Sequence, residues 1–225
     1  MRTLLRDSVK FLLFEVGAGY YAKKLASGPE ADLRRQFAEF LAPAPGARVL
    51  DVGCGPGHLA RDLARRGCRV TATDRAVRLL GIARRLARKE RLAICFRRVP
   101  GRRQPFPDCA FDLVVATTVL YWVERPEAVL REMVRVARPG ATVATLDPHA
   151  SMSAAGMRAY CSRRSLSRKD TEKLMAWARA SKSSSCRDEA GLRRFLLDAG
   201  LQSLVLERRM DGMVWFARGR VPDKR

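Results

Sequence analysis

The run VLDVGCGPG at residues 49–57 limits the folds open to this chain more than any other feature. A short, mainly apolar strand is followed at once by glycines at alternate positions, Gly53, Gly55 and Gly57. Glycine has no Cβ and accepts positive φ, so such a loop can turn sharply and let a ligand approach the backbone. A helix predicted from His58 would offer free N–H groups at its start. The run therefore predicts a βα unit with a ligand site at the tip of its strand.

Strand and helix patterns alternate from residue 47 to residue 148. Short apolar runs predict strands at 49–52, 69–73, 93–99, 111–116 and 141–146, and amphipathic stretches between them predict helices. This alternation is typical of βαβ units that build a parallel sheet. We therefore predict an α/β fold with a Rossmann-like doubly wound sheet, mostly parallel, whose final hairpin strand is antiparallel.

The length of 225 residues suits one domain with one large core. Within this single domain, residues 1–42 are predicted to form N-terminal helices and residues 45–148 the core that carries the glycine loop. Residues 150–187 are small, polar and basic, which indicates an inserted helical cap. A C-terminal helix and a hairpin follow at 188–218.

The formal net charge is +21 and the sequence pI is about 11.0. Such an excess raises the local concentration of anions, so nucleic acid, an anionic membrane surface and an acidic carrier protein are all candidate partners. A plainly solvated basic surface is the alternative. The six cysteines include no C-x-x-C pair, so a zinc site has no support and reduced structural thiols are expected.

No apolar run approaches the ~20 residues that a membrane-spanning helix needs. A secretory signal is also not evident, and the chain is predicted to be cytoplasmic. The first residues place Arg2, Arg6 and Lys10 before a short apolar run, an amphipathic pattern that favours peripheral contact with a membrane surface.

Two carboxylates lie at the ends of neighbouring predicted strands. Asp51 would repel a phosphate but suits a cationic or amine ligand, and the spacing G-x-G-x-G differs from the dinucleotide pattern G-x-G-x-x-G. Asp74 lies 17 residues beyond Gly57, near the ~20-residue offset at which an acid binds ribose hydroxyls. A helix-capping role is the alternative for Asp74, and both roles can coexist.

These motifs resemble the class I S-adenosylmethionine-dependent methyltransferases, in particular the branch that includes ubiquinone/menaquinone C-methyltransferases. The resemblance also includes PFPDCAFD at 105–112 and LREMVRVARPG at 130–140. It covers residues 45–148 well and 186–218 more loosely. It implies a Rossmann-like fold and methyl transfer from S-adenosyl-L-methionine.

The resemblance also implies residue roles. Asp51 and the loop backbone, with Cys54, would hold the methionine part of the cofactor, and Asp74 would hold the ribose. Arg75 and Thr117 complete the predicted cofactor contacts. The family often places an acid after its third strand to contact adenine, but this chain has Pro100 there. The backbone near Gly101 is the predicted substitute, and altered cofactor binding is the alternative.

Methyl transfer from a sulfonium needs in-line approach more than acid–base help. A base is required only if the acceptor carries a proton, and the candidates are His149, Tyr121 and Tyr21. Ordinary packing is the alternative for each of them. The predicted acceptor is a small or lipid-like molecule. An anionic acceptor and a membrane-associated acceptor are both open.

Two other function classes stay open. The charge favours a nucleic-acid methyltransferase, although the sequence lacks an N/D-P-P-Y/F tetrapeptide and a Pro-Cys motif. A binding module that keeps the fold without catalysis is the second alternative. The sequence does not indicate an oligomeric state.

Overall fold

The computed structural model describes residues 16–99, 103–181 and 186–223. Seven strands form one sheet: β1 Arg48–Val52, β2 Arg69–Asp74, β3 Ile94–Arg98, β4 Phe111–Thr117, β5 Ala137–Pro148, β6 Gln202–Arg209 and β7 Val214–Arg220. Their order is β3-β2-β1-β4-β5-β7-β6. The pairs among β1 to β5 are parallel, and β7 runs antiparallel to both of its neighbours. The predicted sheet is therefore confirmed.

The helices within the described residues flank this sheet. They are α1 Ala18–Leu25, α2 Pro29–Leu41, α3 His58–Arg65, α4 Val77–Lys89, α5 Pro126–Val136, α6 Ala154–Arg163, α7 Arg168–Ala180 and α8 Glu189–Asp198. Gly28, at φ 77°, separates α1 from α2, and Pro29 takes the first helical position of α2.

Two apolar clusters cover the two faces of the sheet. Successive side chains of a strand point to opposite faces, so Val49 belongs to one cluster and Leu50 to the other. Four consecutive residues of β4, Leu113 to Ala116, are buried, as expected for a parallel strand covered on both sides. On the first face, the fully buried Phe37 of α2 packs edge-on against Phe216 of β7, with ring centroids 5.1 Å apart.

The direction of strand addition reverses between β1 and β4. From β1 the sheet continues through β2 to β3 on one side, and through β4 to β5 on the other. Open α/β sheets have a crevice at such a switch point, outside the carboxyl ends of the strands. The glycine loop after β1 and Thr117 at the end of β4 both lie there.

The fifth strand begins earlier than predicted. We predicted this strand at residues 141–146, whereas β5 starts at Ala137 and includes Arg138, Pro139 and Gly140. Phe111 pairs with Ala137 and Leu113 pairs with Thr142, so the residues between form an irregular bulge opposite Asp112. A bulge accommodates both the proline and Gly140, whose φ is 71°.

The predicted helical cap contains α6 and α7. A serine immediately before each helix caps it with a hydroxyl that accepts a backbone N–H. These residues are Ser153 before α6 and Ser167 before α7. Met157 and Leu174 are fully buried against the first apolar cluster, so the cap packs firmly on the domain. The basic N-terminal residues Arg2, Arg6 and Lys10 lie outside the described residues. Among those that are described, no helix combines the length and apolar character required to cross a bilayer.

Candidate functional site

The glycine loop joins β1 to α3 and is tied to β2. The N–H groups of Gly53 and Cys54 both donate to the carbonyl of Thr73, at 2.8 and 2.9 Å. Gly53 has φ 71°, and a Cβ on it would lie 2.5 Å from a methyl group of Val119. Gly55 is different, because a Cβ there would meet only the Tyr21 ring at 3.9 Å. Gly55 is therefore the glycine that keeps open space beside the loop.

Gly57 has a packing reason to be glycine. A Cβ there would lie 3.0 Å from Ala83 of α4 and 3.1 Å from Phe96 of β3, and φ is 73°. Its N–H donates to the carbonyl of Cys54. The structure thus explains Gly57 by close approach of neighbouring elements, and its contact with a ligand stays a prediction.

Asp74 ends β2 and holds two backbone amides. One carboxylate oxygen accepts from Gly55 N–H at 2.7 Å, and the other accepts from Ala76 N–H at 2.8 Å. Burial raises the pKa of Asp74, and these amides, with that of Arg75, oppose the shift. Asp74 therefore fixes the glycine loop while its oxygens keep lone pairs for further donors.

Asp51 is a fully buried carboxylate whose two oxygens have no hydrogen-bond partner of normal geometry. Burial, followed by the charge of Asp74, raises its pKa to about 7, against a smaller opposing effect of the Ala60 amide. A buried acid without a donor is destabilising, so such a group is expected at a ligand site.

The glycine-loop cleft is a cavity of about 140 Å³ bordered by the glycine loop and Asp74. Of the predicted cofactor contacts, it brings together Gly53, Gly55, Asp74, Arg75 and Thr117. Cys54 faces the neighbouring cavity instead, Asp51 is buried behind the loop, and Gly101 lies outside the described residues.

Gln104 is a residue of this cleft that the sequence reasoning missed. It is 2% exposed, and its side-chain oxygen accepts from the Thr73 hydroxyl at 3.2 Å. Its backbone N–H donates to Glu132 at 2.9 Å, which holds the loop before β4 in place. The neighbouring Val99 and Ala76 add apolar surface, so this end of the cleft suits a flat heterocycle.

A second, mainly apolar cavity of about 210 Å³ adjoins the cleft. We call it the aromatic cavity, because Tyr21, Tyr121, Trp122 and Trp177 contribute to its walls. α7 of the cap supplies Trp177, so the cap closes this space. Four residues border both the cleft and the aromatic cavity: Tyr21, Thr117, Thr118 and Trp122.

The two tyrosines predicted as catalytic candidates reach the aromatic cavity. Burial, followed by the charge of Asp74, raises the pKa of Tyr21 to about 12, against a smaller opposing effect of Thr118. Burial also raises the pKa of Tyr121 far above its usual range. Both stay protonated near neutral pH and can donate hydrogen bonds, but they are poorly suited to accept a proton.

His149 is not brought to this site. It is 8% exposed, its ring lies 5.0 Å from that of Trp215, and it borders neither the cleft nor the aromatic cavity. Its Nδ1 is bonded to the hydroxyl and the backbone amide of Ser151, at 2.7 and 2.8 Å. The structure therefore places His149 in a packed position beside the start of the cap, and its role as a base stays a prediction.

His58 borders the aromatic cavity in a fixed, neutral form. Arg61 donates to Nδ1 at 2.6 Å, and Nε2 faces the Ala22 carbonyl at 3.0 Å. A guanidinium only donates and a carbonyl only accepts, so the proton is on Nε2. Burial is the main cause that lowers the pKa of His58 to about 4. The histidine thus fastens α1, which carries Tyr21, to the helix of the glycine loop.

Comparison with known proteins agrees with this architecture. A family model described as a methyltransferase domain matches residues 50–145. The chain is 35% identical over 157 residues to the 2-phytyl-1,4-naphtoquinone methyltransferase of Synechococcus elongatus, an alignment that covers 66% of this chain and 67% of that protein. It is 34% identical over 130 residues to the malonyl-(acyl-carrier protein) O-methyltransferase of Serratia marcescens, which covers 58% of this chain and 49% of that protein.

The solved structures show the same fold. A methyltransferase from Aquifex aeolicus, described as SAM-dependent, superimposes with a TM-score of 0.67 at 19% identity, over 90% of this chain and 97% of that chain. The present chain spans about half the length of the Serratia protein.

Proposed function

Since the chain belongs to the class I S-adenosylmethionine-dependent methyltransferases, we propose that it transfers a methyl group from S-adenosyl-L-methionine to a small-molecule acceptor. One observation carries this proposal: the glycine-loop cleft and the aromatic cavity share a wall formed by Tyr21, Thr117, Thr118 and Trp122. A cofactor in the cleft and an acceptor in the aromatic cavity would meet at that wall. Holding two reactants in contact supplies much of the catalysis in a displacement of this kind.

The residues of the cleft fit the cofactor. Gly55 leaves room beside the backbone, and Asp74 keeps acceptor capacity that suits the two ribose hydroxyls. The unpartnered Asp51 suits the amino group of the methionine part. Val99, Ala76 and Gln104 border the space assigned to adenine. When bound, S-adenosyl-L-methionine supplies an activated methyl group on its sulfonium.

The side chains around the aromatic cavity orient the acceptor and exclude water. Tyr21 and Tyr121 remain protonated, and both ring nitrogens of His58 are engaged with neighbours. These groups therefore position and enclose the acceptor. The chemistry then depends mainly on proximity and on the low polarity of the cavity.

The walls favour an acceptor with an apolar, ring-like body. The aromatic side chains are joined by Leu33, Leu59 and Leu146, which leave few polar contacts. The related Synechococcus protein is named for a naphthoquinone acceptor, which has such a body. A lipid-like acceptor, an acidic carrier or an anionic membrane surface would have to present its reactive group to this same cavity.

Calorimetry with S-adenosylhomocysteine tests the proposal. Asp74→Ala removes acceptors for charge-assisted hydrogen bonds, each of which contributes about 1.5–3 kcal/mol, so we expect at least about a tenfold weaker affinity. Asp74→Asn should fall between this variant and the natural protein. Asp198→Asn, an exposed acid on α8, is the matched control.

Thermal unfolding of each variant separates lost binding from a disturbed loop, because Asp74 also holds Gly55 and Ala76. Unchanged affinity in a folded Asp74→Ala protein would reject the ribose role. Failure of the natural protein to bind S-adenosylhomocysteine at all would reject the proposed function.

A further inference from the structure

Glu30 is a partly buried acid with buried carboxylate oxygens that neither the sequence motifs nor the proposed mechanism uses. It lies in the first turn of α2 and contributes to the wall of the aromatic cavity. Both carboxylate oxygens are inaccessible to water and have no hydrogen-bond partner of normal geometry. An ion pair with Glu30 is likewise not found among the described residues. A carboxylate whose buried oxygens lack hydrogen-bond donors destabilises the folded state, so its presence requires an explanation.

The surroundings of Glu30 supply charge but no hydrogen-bond donor of normal geometry. Burial raises the pKa of Glu30, and its own backbone amide, followed by Lys24 of α1 and Lys173 of α7, opposes the shift without cancelling it. The Lys173 ammonium is bonded to Asp170 at 3.0 Å instead. The two cations thus offset only part of the cost of burial, and the carboxylate still lacks a hydrogen-bond donor.

We propose that Glu30 accepts a hydrogen bond from a hydroxyl group of the acceptor and so selects hydroxylated, otherwise apolar ring compounds for the aromatic cavity. This inference rests on the proposed function and assigns its acceptor class. Tyr21, Tyr121 and the tryptophans contact the ring, and Glu30 holds the hydroxyl at one fixed place on the wall. Glu30 is then a specificity-determining residue contributed by α2.

The proposal commits to a hydroxyl and not to an ammonium group. An ammonium ion entering beside Lys24 and Lys173 would meet two like charges, and the whole chain carries a net charge of +21. A neutral hydroxyl meets no such repulsion and still satisfies the carboxylate. A charge-assisted O–H···O⁻ bond in an apolar cavity is also a strong one.

Binding of simple probes tests the selection without the cofactor. Trp122 and Trp177 border the cavity, so quenching of tryptophan fluorescence can follow titration with catechol, with 1,2-dimethoxybenzene and with benzylamine. We expect the natural protein to bind catechol at least about tenfold more tightly than the dimethoxy compound, since a hydrogen bond to a charged group contributes about 1.5–3 kcal/mol. Glu30→Leu should abolish this preference, and Glu30→Gln should reduce it.

The matched control is Glu39→Gln, an exposed acid on the same helix, which should keep the full preference. Equal binding of catechol and the dimethoxy compound by the natural protein would overturn the proposal. Absence of catechol binding up to its solubility limit, or a preference for benzylamine that Glu30→Leu removes, would overturn it as well.

Stability gives a second readout that needs no ligand. If Glu30 is kept for binding, Glu30→Gln and Glu30→Leu should raise the melting temperature at pH 7, because each removes an unpaired buried charge. The folded-state pKa of Glu30 is raised, so the natural protein loses stability relative to these variants as the pH rises above the unfolded pKa.

The charged and titratable groups that face Glu30 are Tyr21 and Lys24 of α1, Cys161 of α6, and Asp170 and Lys173 of α7. They are common to all the proteins compared, so the difference between natural and variant proteins isolates Glu30. A lower melting temperature in both variants would show a structural role and overturn the proposal. Calorimetry with S-adenosylhomocysteine tests the proposed function independently of either result.

Discussion

Cofactor binding should expel a proton from Asp51. Its pKa of about 7 in the folded protein means that the carboxyl binds about 0.9 proton at pH 6 and about 0.1 at pH 8. The cause is burial without a donor, together with the charge of Asp74. An amino group that pairs with Asp51 would return the pKa toward 3.8, the ordinary value, and ionise the carboxyl. A shift of about 3 pH units corresponds to roughly 4 kcal/mol of interaction between the two charges.

Calorimetry with S-adenosylhomocysteine in two buffers of different ionisation enthalpy counts the protons released. We expect about 0.9 proton released at pH 6, less as the pH rises through 7, and an affinity that rises about tenfold per pH unit below 7. Asp51→Asn removes this release. Asp74, whose pKa is also raised, is present in both proteins, so the difference in proton release between them gives the contribution of Asp51. Equal proton release by the natural protein and Asp51→Asn would refute the assignment of Asp51 to the amino group.

Two further substitutions test the structural assignments. Gly53→Ala should destabilise the protein by about 2–4 kcal/mol in chemical denaturation, because its φ is 71° and the new Cβ would lie 2.5 Å from Val119. Gly19→Ala, where nothing lies within 4 Å, is the control and should not destabilise; equal losses would contradict the steric argument. His149→Gln should leave the affinity for S-adenosylhomocysteine unchanged and lower stability by about 1–2 kcal/mol through lost contacts with Ser151 and Trp215. Weaker cofactor binding with unchanged stability would instead place His149 at the site.

The sheet could be predicted because each strand and helix can be identified from its own segment of the sequence. Each strand of the core is a short apolar run, and each crossover helix has a face of buried residues, so spacing alone indicates βαβ units. The predicted start of β5 was wrong because Arg138-Pro139-Gly140 has the composition of a turn. These residues instead form a bulge in β5 opposite Asp112 of β4, which depends on pairing between distant segments.

The proximity of the glycine loop and Asp74 could also be predicted. Gly55 and Asp74 belong to consecutive βα units, so their meeting follows from the parallel order of β1 and β2. The position of His149 away from the cleft could not be predicted. Its position after β5 suggests the edge of the crevice, but its ring packs against Trp215 of the antiparallel strand β7.

Apart from Tyr21 and Tyr121, the acceptor side could not be predicted, because its parts come from distant segments. α1 contributes Tyr21, α2 contributes Glu30 and the cap contributes Trp177, and no spacing rule relates these positions. An unpaired carboxylate also has no signature in a sequence. Glu30 looks like an ordinary acid in the first turn of a helix until its partners are counted in three dimensions.

A crystal structure of the protein with S-adenosylhomocysteine would show where the cofactor lies. We expect the nucleoside in the glycine-loop cleft, its ribose hydroxyls on Asp74, and its sulfur at the wall of Tyr21 and Thr117 that faces the aromatic cavity. Density for the ligand elsewhere, or a cleft closed by the protein's own side chains while the ligand is bound, would contradict this expectation.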